Sequence, residues 1–321
     1  MFVLGLQGSP RKKGNTNFLL NTFMEEVESQ GARTHIIDVC KKNIHPCIGC
    51  GVCEKKGFCA IDNDDMREIY PLLRAADVII AATPIYFYST TSQLKTLIDR
   101  CQTLWSRKYA LKLSDPSTSF RQGYLLSLGA TKGSNLFDGV ELTAKYFFDA
   151  IGAAYAGSLT YRRIESPGDI KKCPTLFNDV EDSAKKLLTP LVGRKKVLFA
   201  CRENACRSQI AAAFAKKIAK DRLEILSAGS SPAEHINPMM IEAMREKGID
   251  MAFYKPKSID DALMDGPLEF LVTMGCGEDC VILSGVKRQD WALPDPAGES
   301  IDFMRKVRDE IEVRVKNFLK K

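Results

Sequence analysis

Two groups of thiols, far apart in the chain, are spaced for different chemistry. In Cys47-Ile-Gly-Cys50-Gly-Val-Cys53, with Cys59 following, four thiolates fall within one short stretch that also carries Gly49, Gly51 and Gly57. Compact runs of this kind wrap iron–sulfur cubanes, whereas structural zinc usually draws on two cysteine pairs set farther apart. A four-iron (4Fe-4S) cluster fits best, with zinc or uncoordinated thiols as the alternatives. In Cys201-Arg-Glu-Asn-Ala-Cys206-Arg207-Ser208, one cysteine and one arginine bracket a loop that enters a helix. Loop amides and a helix N-terminus favour negative charge there. Arg207 can grip a tetrahedral anion through two N–H groups, and Ser208 can stabilise the thiolate or cap the helix. A Cys and an Arg five residues apart are common by chance, so the strand–loop–helix setting carries this reading. Asp295, in Trp291-Ala-Leu-Pro-Asp295-Pro296, offers a carboxylate able to protonate a leaving oxygen. Alone, Asp-Pro marks only a turn.

A third constellation is polar, with neutral Ser, Thr and Asn donors and the charge of Arg11. Gly8-Ser9-Pro10-Arg11-Lys12-Lys13-Gly14-Asn15-Thr16-Asn17 lies between an apolar strand and its helix, where backbone N–H groups converge on a spot suited to phosphate. The alternative is an ordinary turn with a surface arginine. Thr83-Pro84-Ile85-Tyr86-Phe87-Tyr88 follows another strand on the same sheet edge, and offers amides and aromatic surface to a planar ring; equally, those aromatics could pack on the next helix. Together the two loops favour flavin mononucleotide (FMN) over a dinucleotide, because Gly5, Gly8 and Gly14 do not match Gly-x-Gly-x-x-Gly.

The elements that must position these groups alternate between short apolar runs and helical stretches, the pattern of parallel α/β sheets. Strands are expected at Phe2–Gln7, Arg33–Asp38, Val78–Ala82, Gln122–Leu128 and Ala154–Thr160. Helices are expected near Asn17–Gln30, Asp65–Ala75, Gln93–Arg107, Gly139–Ile151 and Asp179–Leu188. After Thr189-Pro-Leu-Val-Gly193 a second unit begins, with strands Lys196–Ala200, Glu224–Ser227 and Phe270–Thr273 and helices Ser208–Ala219, Pro238–Lys247 and Ile301–Leu319. The expected architecture is two doubly wound parallel-sheet domains, residues 1–190 and 194–321. A length of 321 residues favours two cores over one. A net charge of +6, without a clustered basic stripe, argues against nucleic-acid binding. No run of about 18 apolar residues suggests a membrane span, and the first residues are unlike a signal peptide. A cytoplasmic protein is expected, so the eleven cysteines should serve metal binding or catalysis rather than disulfides. Cys40 and Cys101 are expected in the core, Cys173 in an exposed loop, and His45 at the surface.

Residues 1–190 resemble the iron–sulfur flavoprotein family, relatives of the NADPH-dependent FMN reductases. The resemblance is carried by Gly8-Ser9-Pro10-Arg11, the four-cysteine run, Phe58-Cys59 with Asp64-Asp65-Met66, and Ala82-Thr83-Pro84-Ile85-Tyr86. It implies a flavodoxin-like fold, FMN phosphate against Ser9, Arg11, Asn15, Thr16 and Asn17, and a flavin ring along Pro84, Ile85, Tyr86 and Phe87. Cys47, Cys50, Cys53 and Cys59 would hold the cluster, in a homo-oligomer fed by NAD(P)H or a ferredoxin.

Residues 194–321 resemble the low-molecular-weight tyrosine phosphatases and their arsenate reductase relatives. Phosphatases of this kind usually follow Arg-Ser with Pro and Asp-Pro with aromatics, whereas this chain has Gln209 and Ala297-Gly298. Thr273-Met-Gly-Cys276-Gly-Glu-Asp-Cys280 looks like a reductase's second and third redox cysteines. The resemblance implies that Cys201 attacks arsenate, Arg207 and Ser208 assist, Asp295 acts as acid, and Cys276 and Cys280 resolve the adduct. Cys206 could stand in as a resolving partner. The expected function is a bifunctional redox enzyme, an FMN- and iron–sulfur-dependent module fused to a thiol-relay arsenate reductase. The alternatives are a phosphatase with a redox-sensing flavin domain, or a regulator that captures arsenite without turnover.

Overall fold

The computed structural model describes residues 1–264, 266–275 and 285–320, so Cys276 and Cys280 lie outside the described residues. Two compact units emerge, Met1–Lys112 with Phe120–Val192, and Leu113–Ser119 with Gly193–Lys321.

The first unit carries strands β1 (Phe2–Gln7), β2 (Arg33–Asp38), β3 (Val78–Pro84), β4 (Gln122–Leu128) and β5 (Ala154–Tyr161). They form one sheet in the order β2-β1-β3-β4-β5, every pairing parallel. Helices α1 (Asn15–Ser29), α2 (Val52–Lys56), α3 (Met66–Ala75), α4 (Ser92–Arg100), α5 (Gln102–Tyr109), α6 (Asp138–Ala150) and α7 (Leu176–Leu188) connect and follow the strands. All six residues of β1 are buried, as expected of a central parallel strand covered on both faces. Chain order reverses between β1 and β3, so the loops leaving these two strands part and open a crevice at their C-terminal ends.

The second unit carries β6 (Lys195–Cys201), β7 (Leu223–Gly229), β8 (Phe270–Thr273) and β9 (Lys287–Asp290), in the parallel order β7-β6-β8-β9. Its helices are α8 (Arg207–Ala219), α9 (Pro238–Arg245), α10 (Ile259–Leu263) and α11 (Ile301–Phe318). Its switch point lies between β6 and β8, which sends the loop after Cys201 into that crevice. Phe199, Met240, Met304 and Trp291 belong to a core cluster on one face of this sheet. Leu113–Ser119 completes the unit. Ser114 pairs with Ile249 as an isolated bridge, bonding Gly248 and Asp250 at 2.9 Å each, and Leu113, Asp115 and Ser117 are buried.

Both sheets are the doubly wound parallel architecture that the alternating pattern predicts. Several details differ, among them helix α10, which has no counterpart among the expected helices. The helix expected over Gln93–Arg107 is two helices, because the Cys101 N–H is shared by the Leu97 and Ile98 carbonyls and the ladder is interrupted there. A short helix, α2, occupies part of the cysteine run. Strand β9 has no counterpart among the expected strands: its four residues, Lys-Arg-Gln-Asp, are all exposed, so no apolar alternation marks it. Among the described residues, no helix is long and apolar enough to cross a membrane.

Candidate functional site

In the second unit, β6 ends at Cys201, whose side chain is buried. The sulfur lies 3.0 Å from Ser208 Oγ and accepts the Asn204 N–H at 3.3 Å. Asn204 takes a left-handed backbone (φ 51°), which Asn tolerates better than most residues. Its amide donates to Ser208 Oγ (2.8 Å), and its oxygen accepts from Lys257 N (2.9 Å) and Gln209 Nε2 (3.1 Å). One side chain thus ties the loop to α8 and to the 255–257 segment. Nor could β7 approach the loop with any residue but glycine at its end. A Cβ on Gly229 would lie 2.6 Å from the Arg202 carbonyl and 2.8 Å from Asn204 N.

Helix α8 opens with no side-chain cap and no acidic residue in its first turn, so its N-terminal field is not cancelled locally. Arg207 is buried at that terminus, donating to Asp295 Oδ2 at 2.5 Å and to the Leu293 carbonyl at 3.3 Å. Asp295 is about half exposed and folds into a turn through Ala297 N. Its loop is anchored by Trp291, which bonds the Thr273 carbonyl and packs against Phe199 and Phe318. Cys201, Arg207, Ser208 and Asp295 therefore meet in one place. Gly275 reaches it too: a Cβ there would lie 2.9 Å from Arg207 Nη1. Gly275 thus lies beside the guanidinium. Cys206 is a different kind of thiol. Burial, with Cys201 beside it, pushes its pKa up to about 12, so it stays protonated and is a poor nucleophile.

In the first unit, Ser9, Arg11, Asn15, Thr16, Pro84, Ile85 and Tyr86 line one cavity of about 190 Å³ at the β1–β3 crevice. Leu128, Gly129, Ala130, Ile164 and Glu165 also line it. These five are not marked by any sequence motif, although the first three follow from lying at the C-terminal end of β4. Helix α1 has neither a side-chain cap nor an acidic first turn. Asn15 also braces the rim, because its side-chain amide bonds the Ser166 carbonyl and the Gly168 N–H and so fixes the loop that presents Ile164 and Glu165. Asn17 and Phe87 are not among the lining residues. Asn17 accepts from Asn21, and Phe87 is fully exposed.

Cys47, Cys50, Cys53 and Cys59 line a separate cavity of about 660 Å³. Among the described residues, no three His, Cys, Asp or Glu side chains converge as they would on a single ion. Arg100 pins both ends of the cysteine stretch, donating to the carbonyls of His45 (2.9 Å) and Ile61 (2.8 Å) and pairing with buried Asp64. Burial works against the Asp64 carboxylate, but bonds from Arg100, His45 and Met66 outweigh it and lower its pKa. Arg107 holds the Gly57 carbonyl (2.9 Å), and Ser106 lies 3.5 Å from the Cys53 sulfur. Cys101 also lines the cavity, buried and protonated, with burial pushing its pKa up to about 12.

A family model described as NADPH-dependent FMN reductase matches residues 1–132, and one described as low molecular weight phosphotyrosine protein phosphatase matches residues 196–321. An iron–sulfur flavoprotein of Methanosarcina thermophila is 40% identical over 112 residues, 35% of this chain and 58% of that protein. Arsenate reductase 2 of Staphylococcus haemolyticus is 37% identical over 128 residues, 39% of this chain and 96% of that protein. The solved thioredoxin-dependent arsenate reductase of Corynebacterium glutamicum is 32% identical, covering 46% of this chain and 75% of that one at a TM-score of 0.35. The chain spans about half the length of the iron–sulfur flavoproteins that it matches. Its first half is similar to the iron–sulfur flavoproteins and FMN reductases, and through its second half, which matches the low molecular weight phosphatase model, the chain belongs to the arsenate reductase family.

Proposed function

We propose that this chain reduces arsenate to arsenite by a thiol relay in its second unit, with electrons supplied through a flavin and an iron–sulfur cluster in its first. The observation that carries the reading is the constellation at the end of β6: a buried thiol amid loop donors, a buried arginine beside it, and a carboxylate bonded to that arginine.

Arsenate enters with its oxygens on the loop amides and Arg207, displacing the guanidinium's contact with Asp295. The Cys201 thiolate attacks arsenic, forming an S–As bond, and the oxygen that leaves is protonated from Asp295 and departs as water. Ser208 and the Asn204 N–H hold the sulfur in line. The Cys276 thiolate then attacks the Cys201 sulfur; the S–As electron pair passes to arsenic, which is reduced from As(V) to As(III) and leaves as arsenite. Cys280 attacks Cys276, freeing the Cys201 thiol and leaving a Cys276–Cys280 disulfide. Two electrons and two protons restore the dithiol.

The first-unit cavity suits FMN. Its polar end combines Ser9, Thr16, Arg11 and the uncapped start of α1, while Pro84, Ile85 and Tyr86 give an apolar wall for a ring. FMN when bound supplies two-electron acceptance with one-electron release. The four thiols that line a single cavity would be the ligands of a 4Fe-4S cluster, which would supply one-electron transfer. NAD(P)H or a ferredoxin would be the outside donor.

The match of residues 196–321 to a phosphotyrosine phosphatase family model keeps a phosphatase as the second reading. The Cys276→Ser/Cys280→Ser double variant separates the two. Under the relay, that variant stops at the Cys201–arsenic adduct and releases no arsenite; steady hydrolysis of a phosphoaryl ester by that variant, together with undiminished arsenate turnover, would overturn it.

A further inference from the structure

Helices α4 and α5 carry the side chains that hold the cysteine stretch, and two of their polar atoms, Arg100 Nε and Thr103 Oγ1, are buried without a hydrogen-bond partner. Both residues are 1% exposed, and both line the cavity shared by Cys47, Cys50, Cys53 and Cys59. The rest of the guanidinium is fully engaged with His45, Ile61 and Asp64. A buried donor left unpaired keeps its full desolvation cost, and few are tolerated in folded proteins. A helical threonine can avoid this by turning its hydroxyl to the carbonyl one turn back, as Thr96 does toward Ser92 on the preceding helix. Thr103 does not.

We propose that Arg100 and Thr103 are positioning donors for the group that the four thiols hold, with Nε–H and Oγ–H directed at its sulfur atoms so as to favour its reduced state. This rests on the cluster reading given above. Taking up one electron, from reduced flavin in the protein or from dithionite in a titration, adds one negative charge to the cluster. Donors to its sulfurs stabilise that added charge and raise the potential. Asp64 offsets the guanidinium's charge at a distance, so the local donors make the difference. Ser106, already beside the Cys53 sulfur, is a third donor of the same kind.

The test uses full-length protein purified without oxygen, with iron and acid-labile sulfide quantified and the cluster's midpoint potential read by electron paramagnetic resonance during dithionite titration. Thr103→Val, of nearly equal shape, should lower the potential, while Thr103→Ser, which keeps the hydroxyl, should hold the wild-type value. Arg100→Lys should lower iron content, because both ends of the cysteine stretch lose their clamp. The resonance signal comes only from loaded molecules, so the comparison stands even if the valine variant loads less. An unchanged potential in iron-replete Thr103→Val overturns the inference and leaves the cluster reading intact. Wild-type protein without iron and sulfide overturns the cluster reading, and the inference with it.

Discussion

Single side chains divide here into those whose role is local and those whose role arises from distant contacts. Cys201, Arg207 and Asp295 are legible in the sequence because strand–loop–helix grammar and an Asp-Pro turn mark them where they stand. Asn204 is not, since its partners Lys257 and Gln209 come together only on folding. Asn204→Ala removes three bonds and keeps an unfavourable backbone, so it should cost about 2–3 kcal/mol in urea unfolding. Asn204→Gly, which loses the same bonds but relieves the left-handed backbone, should cost less. Cys201→Ser should abolish arsenate reduction in an arsenite-release assay. Cys206→Ala should keep turnover within about threefold of wild type, about 0.7 kcal/mol, because a thiol held up to about 12 contributes little thiolate; a loss as deep as that of Cys201→Ser would make Cys206 part of the relay.

At the scale of elements, strand and helix positions follow from alternating apolar runs, whereas the break at Cys101 and the exposed strand β9 carry no such signal. The break matters, because Arg100 and Thr103 on either side of it both face the cysteine cavity. The close approach of β7 to the thiol loop is likewise invisible until Gly229 is placed. Gly229→Ala should weaken phosphate binding at that loop by about tenfold, about 1.4 kcal/mol, with far-ultraviolet circular dichroism unchanged. Packing of α9 on α11 has a pH signature. Hydrogen bonds from Arg305 and Arg308 hold Glu246 down to about 2 from an ordinary 4.5. This carboxylate therefore contributes above about pH 4.5 and loses its contribution as pH falls toward 2. Glu246→Gln should lower the thermal midpoint at pH 7, and the deficit should shrink steadily below pH 4.5.

For the whole molecule, the sequence points to a division near Gly193 but gives no hint that Leu113–Ser119 completes the second unit, since that pairing spans more than a hundred residues. Residues 194–321 produced alone would lack buried Leu113 and the two Ser114 backbone bonds. They should be less stable than the same unit in the full chain by about 3 kcal/mol, measurable by denaturant unfolding. Equal stability would show the segment to be dispensable. The proposal that electrons pass from the flavin-type half to the thiol-type half is tested most directly on full-length protein, with flavin photoreduced under anaerobic conditions and then mixed with arsenate. Flavin absorbance should return with one arsenite formed per two electrons, and Cys201→Ser should stay reduced. Flavin that remains reduced in the presence of arsenate, or that reoxidises equally in Cys201→Ser, would contradict the account.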